Sequence, residues 1–178
     1  MRKSIPLGKR PFDWVYLGFF LVNLIIVTYS IDLEQIVIKD PFRFSYPAWP
    51  LPFFIDMVHW WGRTFDPLLM ARPVWWQATI WLDVLIFGPF YAFAAYAFYK
   101  GKDWIRIPTL VIMPILFTNV TIICSEEIWG PFPARNLPVV LLANASWFLF
   151  PVFLVWKMAK KEHPFTEEQE QLWVEDRG

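Results

Sequence analysis

Four long apolar runs, almost free of charge, are the feature that most limits what this chain can fold into. They extend over residues 14–31, 73–99, 107–125 and 137–156, and Asp83 is the one charged residue inside them. Each run has about the 20 residues that a helix needs to cross about 30 Å of hydrocarbon. Because backbone amides in lipid must be hydrogen-bonded within the chain, each run is predicted to be a helix.

The composition excludes several other classes of protein. The 16 basic and 16 acidic residues cancel, and no basic block occurs, so we expect no nucleic-acid partner. The single cysteine, Cys124, excludes an intrachain disulfide and a cysteine-rich zinc site. Metalloprotease, redox, hydrolase and phosphate-binding motifs are absent from the sequence, so we expect neither a metal site nor a cofactor. The apolar fraction is 57%, which is above that of soluble domains.

The placement of Lys and Arg predicts how the chain crosses the membrane. These residues concentrate before the first run, between the second and third runs, and after the fourth, so both termini are predicted to be cytosolic. The first run is long for a signal peptide and no small-residue cleavage site follows it, so it is predicted to be a retained span. The predicted divisions are a cytosolic N-terminus (1–13), a membrane domain (14–158) and an acidic cytosolic tail (159–178), with a helix from Thr166 to Trp173.

The first loop, residues 33–72, is long and rich in aromatic residues. Its stretch from Phe53 to Met70 is predicted to be an interfacial helix, because tryptophan favours that zone. Three prolines lie inside spans (Pro89, Pro114 and Pro151), and Pro89 is predicted to free the carbonyl of Leu85. The predicted fold is therefore an all-α membrane protein: a four-helix bundle with kinked helices, capped by its first lumenal loop.

Polar residues inside or beside the spans fall at one depth. Asp83 is about 15 Å from the start of its span, and an ionisable group at that depth is costly enough to suggest a function. The other members of this predicted layer in the lumenal half are Asp32, Asn119, Glu126, Asn144 and Trp147. As alternatives, the two amides can be interhelical hydrogen-bonding groups, and Asp32 and Glu126 can be simply interfacial.

Aromatic residues surround this layer: Trp76, Trp81, Phe87, Tyr91, Trp147 and Phe148. A carboxylate bordered by aromatic rings suits a cation on an apolar body, or a reaction that passes through a carbocation. Ordinary packing or lipid contact is the alternative role for most of these rings.

Several motifs resemble one known family. They are Asp66-Pro-Leu-Leu, Pro73-Val-Trp, Asp83 six residues before Pro89, the stretch from Ala94 to Gly101, and Trp104 to Pro108. They are similar to the EXPERA family, which unites the sigma-2 receptor with emopamil-binding protein, the sterol Δ8–Δ7 isomerase. The middle of the chain is most like the receptor members, whereas Asn144 to Pro151 and Ser125-Glu126 are more like the isomerase.

The resemblance implies a four-helix bundle in the endoplasmic reticulum or a related membrane, with a pocket entered from the bilayer. It implies sterols and cationic amphiphilic amines as ligands. It places the acidic pair at Asp32 and Asp83, the aromatic that supports a sterol cation at Trp147, and its neighbouring amide at Asn144.

Three functions compete at this point. The first is a membrane-embedded binding protein for sterol-like or cationic amphiphilic ligands, whose site comprises Asp32, Asp83, Thr28, Phe87, Asn119, Asn144 and Trp147. The second is a sterol or terpenoid isomerase or cyclase, with Asp83, Asp32 and Glu126 as its acids and bases. The third is a trafficking or partner-binding scaffold without chemistry. The expected partners are a sterol-like lipid or lipophilic amine and membrane lipids. The sequence leaves open whether the protein forms a homodimer.

Overall fold

The computed structural model describes residues 2–168, which form mainly six helices and a short strand pair. In chain order the helices are α1 (Pro11–Val37), α2 (Pro52–Thr64), α3 (Leu68–Ala71), α4 (Val74–Lys100), α5 (Asp103–Trp129) and α6 (Leu137–Lys160). Helices α1, α4, α5 and α6 are each long and apolar enough to cross a membrane, which confirms the predicted all-α, four-helix membrane fold.

The lengths and surfaces of these four helices suit a bilayer. They contain 24 to 27 residues, or about 36–40 Å of helix, which exceeds the hydrocarbon thickness of about 30 Å. Their outward faces carry large apolar side chains such as Leu142, which is 77% exposed. We call the end of the bundle that carries residues 38–73 the loop side, and the opposite end the terminal side.

Helices α1 and α4 each change from α-helical to π-helical geometry partway along their length. The π segments are Asn23–Asp32 and Asp83–Phe87, and they contact each other. A Cβ atom on Gly88 would lie 2.8 Å from Thr28 Cγ2 and 2.9 Å from the Tyr29 hydroxyl. Gly88 is therefore required for this close approach of the two helices.

Pro89 is accommodated by the π geometry of α4. The Gly88 N–H donates to the carbonyl of Asp83, five residues earlier. In this register the next donor would be residue 89, but proline has no N–H. The Tyr29 hydroxyl instead donates to the carbonyl of Val84 at 3.2 Å. This carbonyl precedes the one predicted at Leu85, because that prediction assumed an α-helical register where the helix is π.

The loop between α1 and α4 covers the loop side of the bundle, as predicted. Arg72 Nη2 donates to Glu34 Oε1 at 2.8 Å, and His59 Nε2 lies 2.8 Å from the same oxygen. These buried contacts join the last turn of α1 to α2 and to the residue after α3. The single helix predicted from Phe53 to Met70 is instead two helices, since Pro67 disfavours helical geometry in the residue before it.

The two chain ends of the described region meet on the terminal side. Strand β1 (Arg2–Ser4) pairs antiparallel with β2 (Thr166–Glu168), and the Phe165 N–H donates to Asp103 Oδ1 at 2.7 Å. The helix predicted to begin at Thr166 is therefore wrong at its start, because these residues pair with a distant strand. The rest of that prediction, from residue 169 onward, lies outside the described residues.

Aromatic side chains fill the terminal half of the bundle. Phe20, Tyr91 and Phe98 are fully buried, and the rings of Phe20 and Phe98 meet edge to face with centroids 5.1 Å apart. This packing joins α1 to α4, while α5 packs mainly against α6. The terminal half is therefore filled, and the open space within the bundle lies in the loop-side half.

Candidate functional site

A cavity of about 340 Å³ lies in the loop-side half of the bundle, which is within the range of small-molecule sites. All four membrane helices and the α2–α3 segment contribute to its wall. The lining residues are Val27, Ile31, Asp32, Met57, Val58, Trp61, Asp66, Leu69, Trp76, Thr79, Ile80, Asp83, Leu116, Asn119, Val120, Ile123, Glu127, Ala143, Asn144 and Trp147.

The cavity is elongated along the bundle. On α5 its wall runs from Leu116 to Glu127, a length of about 16 Å at the helical rise. Asp83 is the deepest lining residue on α4, about 13 Å from the start of that helix. Glu127 is the third residue from the end of α5, on the loop side. The cavity therefore has the proportions of a long, narrow molecule.

Four acidic side chains line the wall, and none of the lining residues is Lys, Arg or His. The remaining wall is largely apolar and includes the rings of Trp61, Trp76 and Trp147. An apolar wall with a few polar groups of one sign favours an amphiphilic ligand of the opposite sign.

Asp32 and Asp83 form the deeper carboxyl pair. Asp32 is the last residue of the π segment of α1 and Asp83 is the first of that in α4. Their carboxyl groups are close neighbours. π segments are often found at functional sites, because the wider turn changes which side chains face inward.

Further polar atoms without partners lie near the deeper pair. Thr28 Oγ1 and Asp83 Oδ2 are buried and have no hydrogen-bond partner among the described residues, and the same holds for the Tyr91 hydroxyl. Tyr91 is on α4, two turns beyond Asp83, and is fully buried. Unpaired buried polar groups are costly, so their concentration on one side of the cavity indicates a functional site.

The opposite wall presents an oriented indole and two amides. Trp147 Nε1 donates to Asn23 Oδ1 at 2.7 Å, and Asn23 Nδ2 donates to the Phe19 carbonyl at 2.8 Å. Asn144 Nδ2 donates to the Val140 carbonyl at 2.9 Å, within its own helix. Asn119 is half-buried and lines the wall from α5. The Asn23 contact fixes the Trp147 ring against the cavity.

A second carboxyl pair, Asp66 and Glu127, lies at the loop-side end of the cavity. Both side chains are buried and their carboxyl groups are close neighbours. Asp66 Oδ1 also accepts the Leu68 N–H at 3.1 Å. Burial raises the pKa of Asp66 to about 6, although its bond from the Leu68 N–H acts in the opposite direction.

Buried acids away from the cavity have basic partners. Asp13 contacts Arg10 and Lys157 on the terminal side, and Glu34 contacts Arg72 and His59 on the loop side. By contrast, no ion pair within residues 2–168 includes any of the four cavity acids. Since buried charges in proteins are normally paired, the buried and unpaired acids Asp66, Asp83 and Glu127, with half-buried Asp32, distinguish the cavity from the rest of the interior.

The part of the chain that the structure describes contains no group of three or more His, Cys, Asp or Glu side chains that could hold a metal ion. The polar groups of the cavity wall are carboxyls, amides, indoles and the Thr79 hydroxyl, which interact by charge and hydrogen bonding.

The structure brings together five of the eight residues predicted for the site: Asp32, Asp83, Asn119, Asn144 and Trp147. Three do not line the cavity. Thr28 packs against Gly88 behind Asp83, and Phe87 is fully buried in the aromatic core. Glu126 accepts the Phe132 N–H at 3.0 Å and stabilises the turn after α5.

Sequence reasoning missed Asp66, Glu127 and Asn23. Glu127 could have been found from the sequence, because it shares one face of α5 with Leu116, Val120 and Ile123 at helical spacing. Asn23 is an amide inside the first apolar run, at a depth that matches Trp147 when the two spans are antiparallel. Asp66 lies in a loop, where spacing does not predict direction.

Four membrane helices around an acidic cavity define this chain as an integral membrane protein with an internal binding pocket. The family comparison agrees with that class. The model described as EXPERA (EXPanded EBP superfamily) matches residues 53–158, and the chain belongs to this family. The match includes every cavity acid except Asp32.

Individual relatives extend the similarity to α1. The chain is 28% identical over 160 residues to the protein named "Sigma intracellular receptor 2" from Xenopus tropicalis, covering 84% of this chain and 88% of that one. The proteins of the same name from Macaca fascicularis and Homo sapiens are each 28% identical, over 131 and 129 residues. These cover 72% and 71% of this chain, and 69% and 68% of those proteins. The resemblance expected from the sequence motifs is confirmed.

Proposed function

We propose that this protein binds sterol-like or cationic amphiphilic ligands within the membrane, with Asp32 and Asp83 as the acidic recognition pair. The observation that carries the proposal is the contrast between the cavity acids and the other buried acids. Asp13 and Glu34 have basic partners, whereas Asp32 and Asp83 have none among the described residues. A ligand cation supplies the missing partner.

The remaining wall suits the apolar body of such a ligand. Ile80, Leu116 and Val120 offer aliphatic surface, and the Trp76 and Trp147 indoles offer aromatic faces. Burying apolar area contributes about 25 cal/mol per Å², and a cation beside an indole face gains about 0.5–2 kcal/mol. The amides of Asn119 and Asn144 add hydrogen-bonding groups for a hydroxyl or an amine.

Binding of a lipophilic tertiary amine to the purified protein in lipid nanodiscs tests this proposal. We expect Asp83→Asn and Asp32→Asn each to weaken binding by about tenfold or more, because a charge-assisted hydrogen bond is lost. Glu126→Gln is the matched control, since Glu126 lies outside the cavity wall. Unchanged affinity in both aspartate variants would contradict the proposal.

A second candidate function is isomerisation of a sterol or terpenoid double bond. It is favoured by one observation: two neighbouring carboxyl groups, Asp32 and Asp83, line the same apolar cavity as an oriented tryptophan. One carboxyl can protonate an alkene carbon while a carboxylate removes a proton from another carbon, and Trp147 can stabilise the intervening carbocation. Glu126, which was included among the predicted acids, lies outside this wall.

Incubation of the protein with a Δ8-sterol in heavy water separates catalysis from binding. An isomerase produces a shifted double bond with solvent deuterium at the protonated carbon, and Asp83→Asn abolishes both. Unchanged sterol with retained binding leaves the protein as a receptor without turnover.

We propose an orientation in which the terminal side faces the cytosol and the cavity faces the lumen of the endoplasmic reticulum. The excess of Lys and Arg at the ends of the helices on the terminal side supports it. Glycosylation acceptor sequences inserted separately near Ser45 and near Lys102 test it. Modification is expected near Ser45, and modification near Lys102 would reverse the topology.

A further inference from the structure

The carboxyl pair at the loop-side end of the cavity is separate from the pair used in the proposed function. Asp66 approaches from the turn between α2 and α3, and Glu127 approaches from the last turn of α5. Asp83, in contrast, lies about 13 Å inside α4. The elongated cavity therefore has carboxyl pairs at two different depths.

Glu127 has a free hydrogen-bonding atom within this pair. Its side chain is 2% exposed, and Oε2 has no hydrogen-bond partner among the described residues. Asp66 uses one oxygen to accept the Leu68 N–H. The groups that face Glu127 are the Asp66 carboxyl and the Cys124 thiol, neither of which is basic.

Arg135, which contacts the residue beside Asp66, does not neutralise this pair. Arg135 follows α5 in the turn to α6, and its backbone N–H donates to the Phe65 carbonyl beside Asp66. Its guanidinium, however, donates to the Arg63 carbonyl. Two acids thus remain together on the wall of an apolar cavity, and the Arg135 guanidinium is directed to a backbone carbonyl instead.

We infer that Asp66 and Glu127 form a second cation-binding subsite, so that the cavity prefers ligands with a cationic group at each end of an apolar body. This inference rests on the proposed function, since Asp32 and Asp83 bind the first cation. The ligand class is a lipophilic diamine whose spacer matches the length between the two pairs. A ligand with one amine uses the deeper pair alone.

Paired ligands that differ by one charge test the second subsite. The probes are a bis(dimethylamino)alkane and the dimethylaminoalkane of the same chain length, measured over a series of lengths on the protein in nanodiscs of zwitterionic lipid. For the wild type we expect one spacer length at which the diamine binds about tenfold more tightly than the monoamine. Glu127→Gln and Asp66→Asn should each remove this preference, so that diamine and monoamine bind the same variant with about equal affinity.

Glu126→Gln is the matched control, because it changes the neighbouring carboxyl outside the cavity and should preserve the preference. Retained monoamine binding by Glu127→Gln also shows that this variant is folded. The inference is overturned if the diamine has no preferred spacer length, or if both variants keep the wild-type preference. Monoamine binding by Asp83→Asn tests the deeper site separately. If this variant binds the monoamine as tightly as the wild type, the proposed function fails, whereas the diamine preference tests only the second subsite.

Discussion

Trp147 on α6 donates its indole N–H to Asn23 on α1 at 2.7 Å, across 124 residues of sequence. The acceptor is itself fixed, since Asn23 Nδ2 donates to the Phe19 carbonyl. The pair links the first and last membrane helices beside the cavity. It also holds a ring of the cavity wall in one orientation.

Removing the acceptor of this bond should destabilise the protein. We expect Asn23→Leu to lower the free energy of unfolding in mixed micelles by about 1–3 kcal/mol, because the buried indole N–H loses its partner. In a Trp147→Phe background no indole N–H remains, so the same substitution should cost less. An equal cost in both backgrounds would show that the bond does not stabilise the fold.

The contact between the π segments should be sensitive to one methyl group. A Cβ at Gly88 would meet Thr28 and Tyr29 at less than 3 Å, so we expect Gly88→Ala to cost about 1–3 kcal/mol of unfolding free energy. Gly18→Ala is the control, because nothing lies within 4 Å of that position in α1. The control should be neutral or stabilising by about 1 kcal/mol. Equal stability of the two variants would contradict the close approach.

The ion pair beneath the first loop should anchor that loop. Arg72→Met leaves Glu34 buried with His59 as its one remaining basic partner among the described residues, and we expect a loss of about 3–5 kcal/mol. Limited proteolysis should then cut residues 38–51 faster than in the wild type. Arg43→Met, which alters an exposed guanidinium, should not change the cutting rate. Wild-type protection in Arg72→Met would reject the anchoring role.

Stability should depend on pH through Asp66. Its pKa is raised to about 6 in the folded state, from 3.8 when unfolded, so the folded protein holds the proton more tightly. This carboxyl therefore destabilises the fold above pH 6, and the penalty is removed as the pH falls from about 6 towards 4. We expect Asp66→Asn to raise the melting temperature at pH 7 and to narrow the difference between pH 7 and pH 5.

Asp40→Asn, an exposed acid of the same loop, is the control for that titration and should leave the pH profile unchanged. A wild-type profile in Asp66→Asn would mean that Asp66 does not titrate in this range.

The four spans could be predicted from the length of the apolar runs. The positions of Asp83 and Trp147 on the cavity wall could be predicted because polar groups inside such runs are costly in lipid. In α5, polar residues near the end of the apolar run predicted the cavity wall less precisely. Glu126 and Glu127 are adjacent and differ by about 100° around the helix axis, so a small error in phase selects the wrong carboxyl. Thr28 and Phe87 do not line the cavity for a related reason, because they lie in π segments where the helical phase departs from the α-helical one.

The remaining features depend on contacts that no local pattern contains. The strand at Thr166–Glu168 exists because it pairs with Arg2–Ser4, and Asp66 lines the cavity from a turn whose position depends on tertiary packing. Likewise, Asn23 and Trp147 could be matched by depth, but their hydrogen bond depends on how α1 and α6 are rotated against each other.

The most direct measurement of the central claim is a crystal structure with a bromine-labelled lipophilic amine, located by anomalous scattering. The account predicts the bromine in the loop-side cavity and the amine nitrogen about 3 Å from a carboxyl oxygen of Asp83 or Asp32. A ligand on the outer surface of the bundle, or one in the cavity with its nitrogen away from both carboxyls, would contradict it.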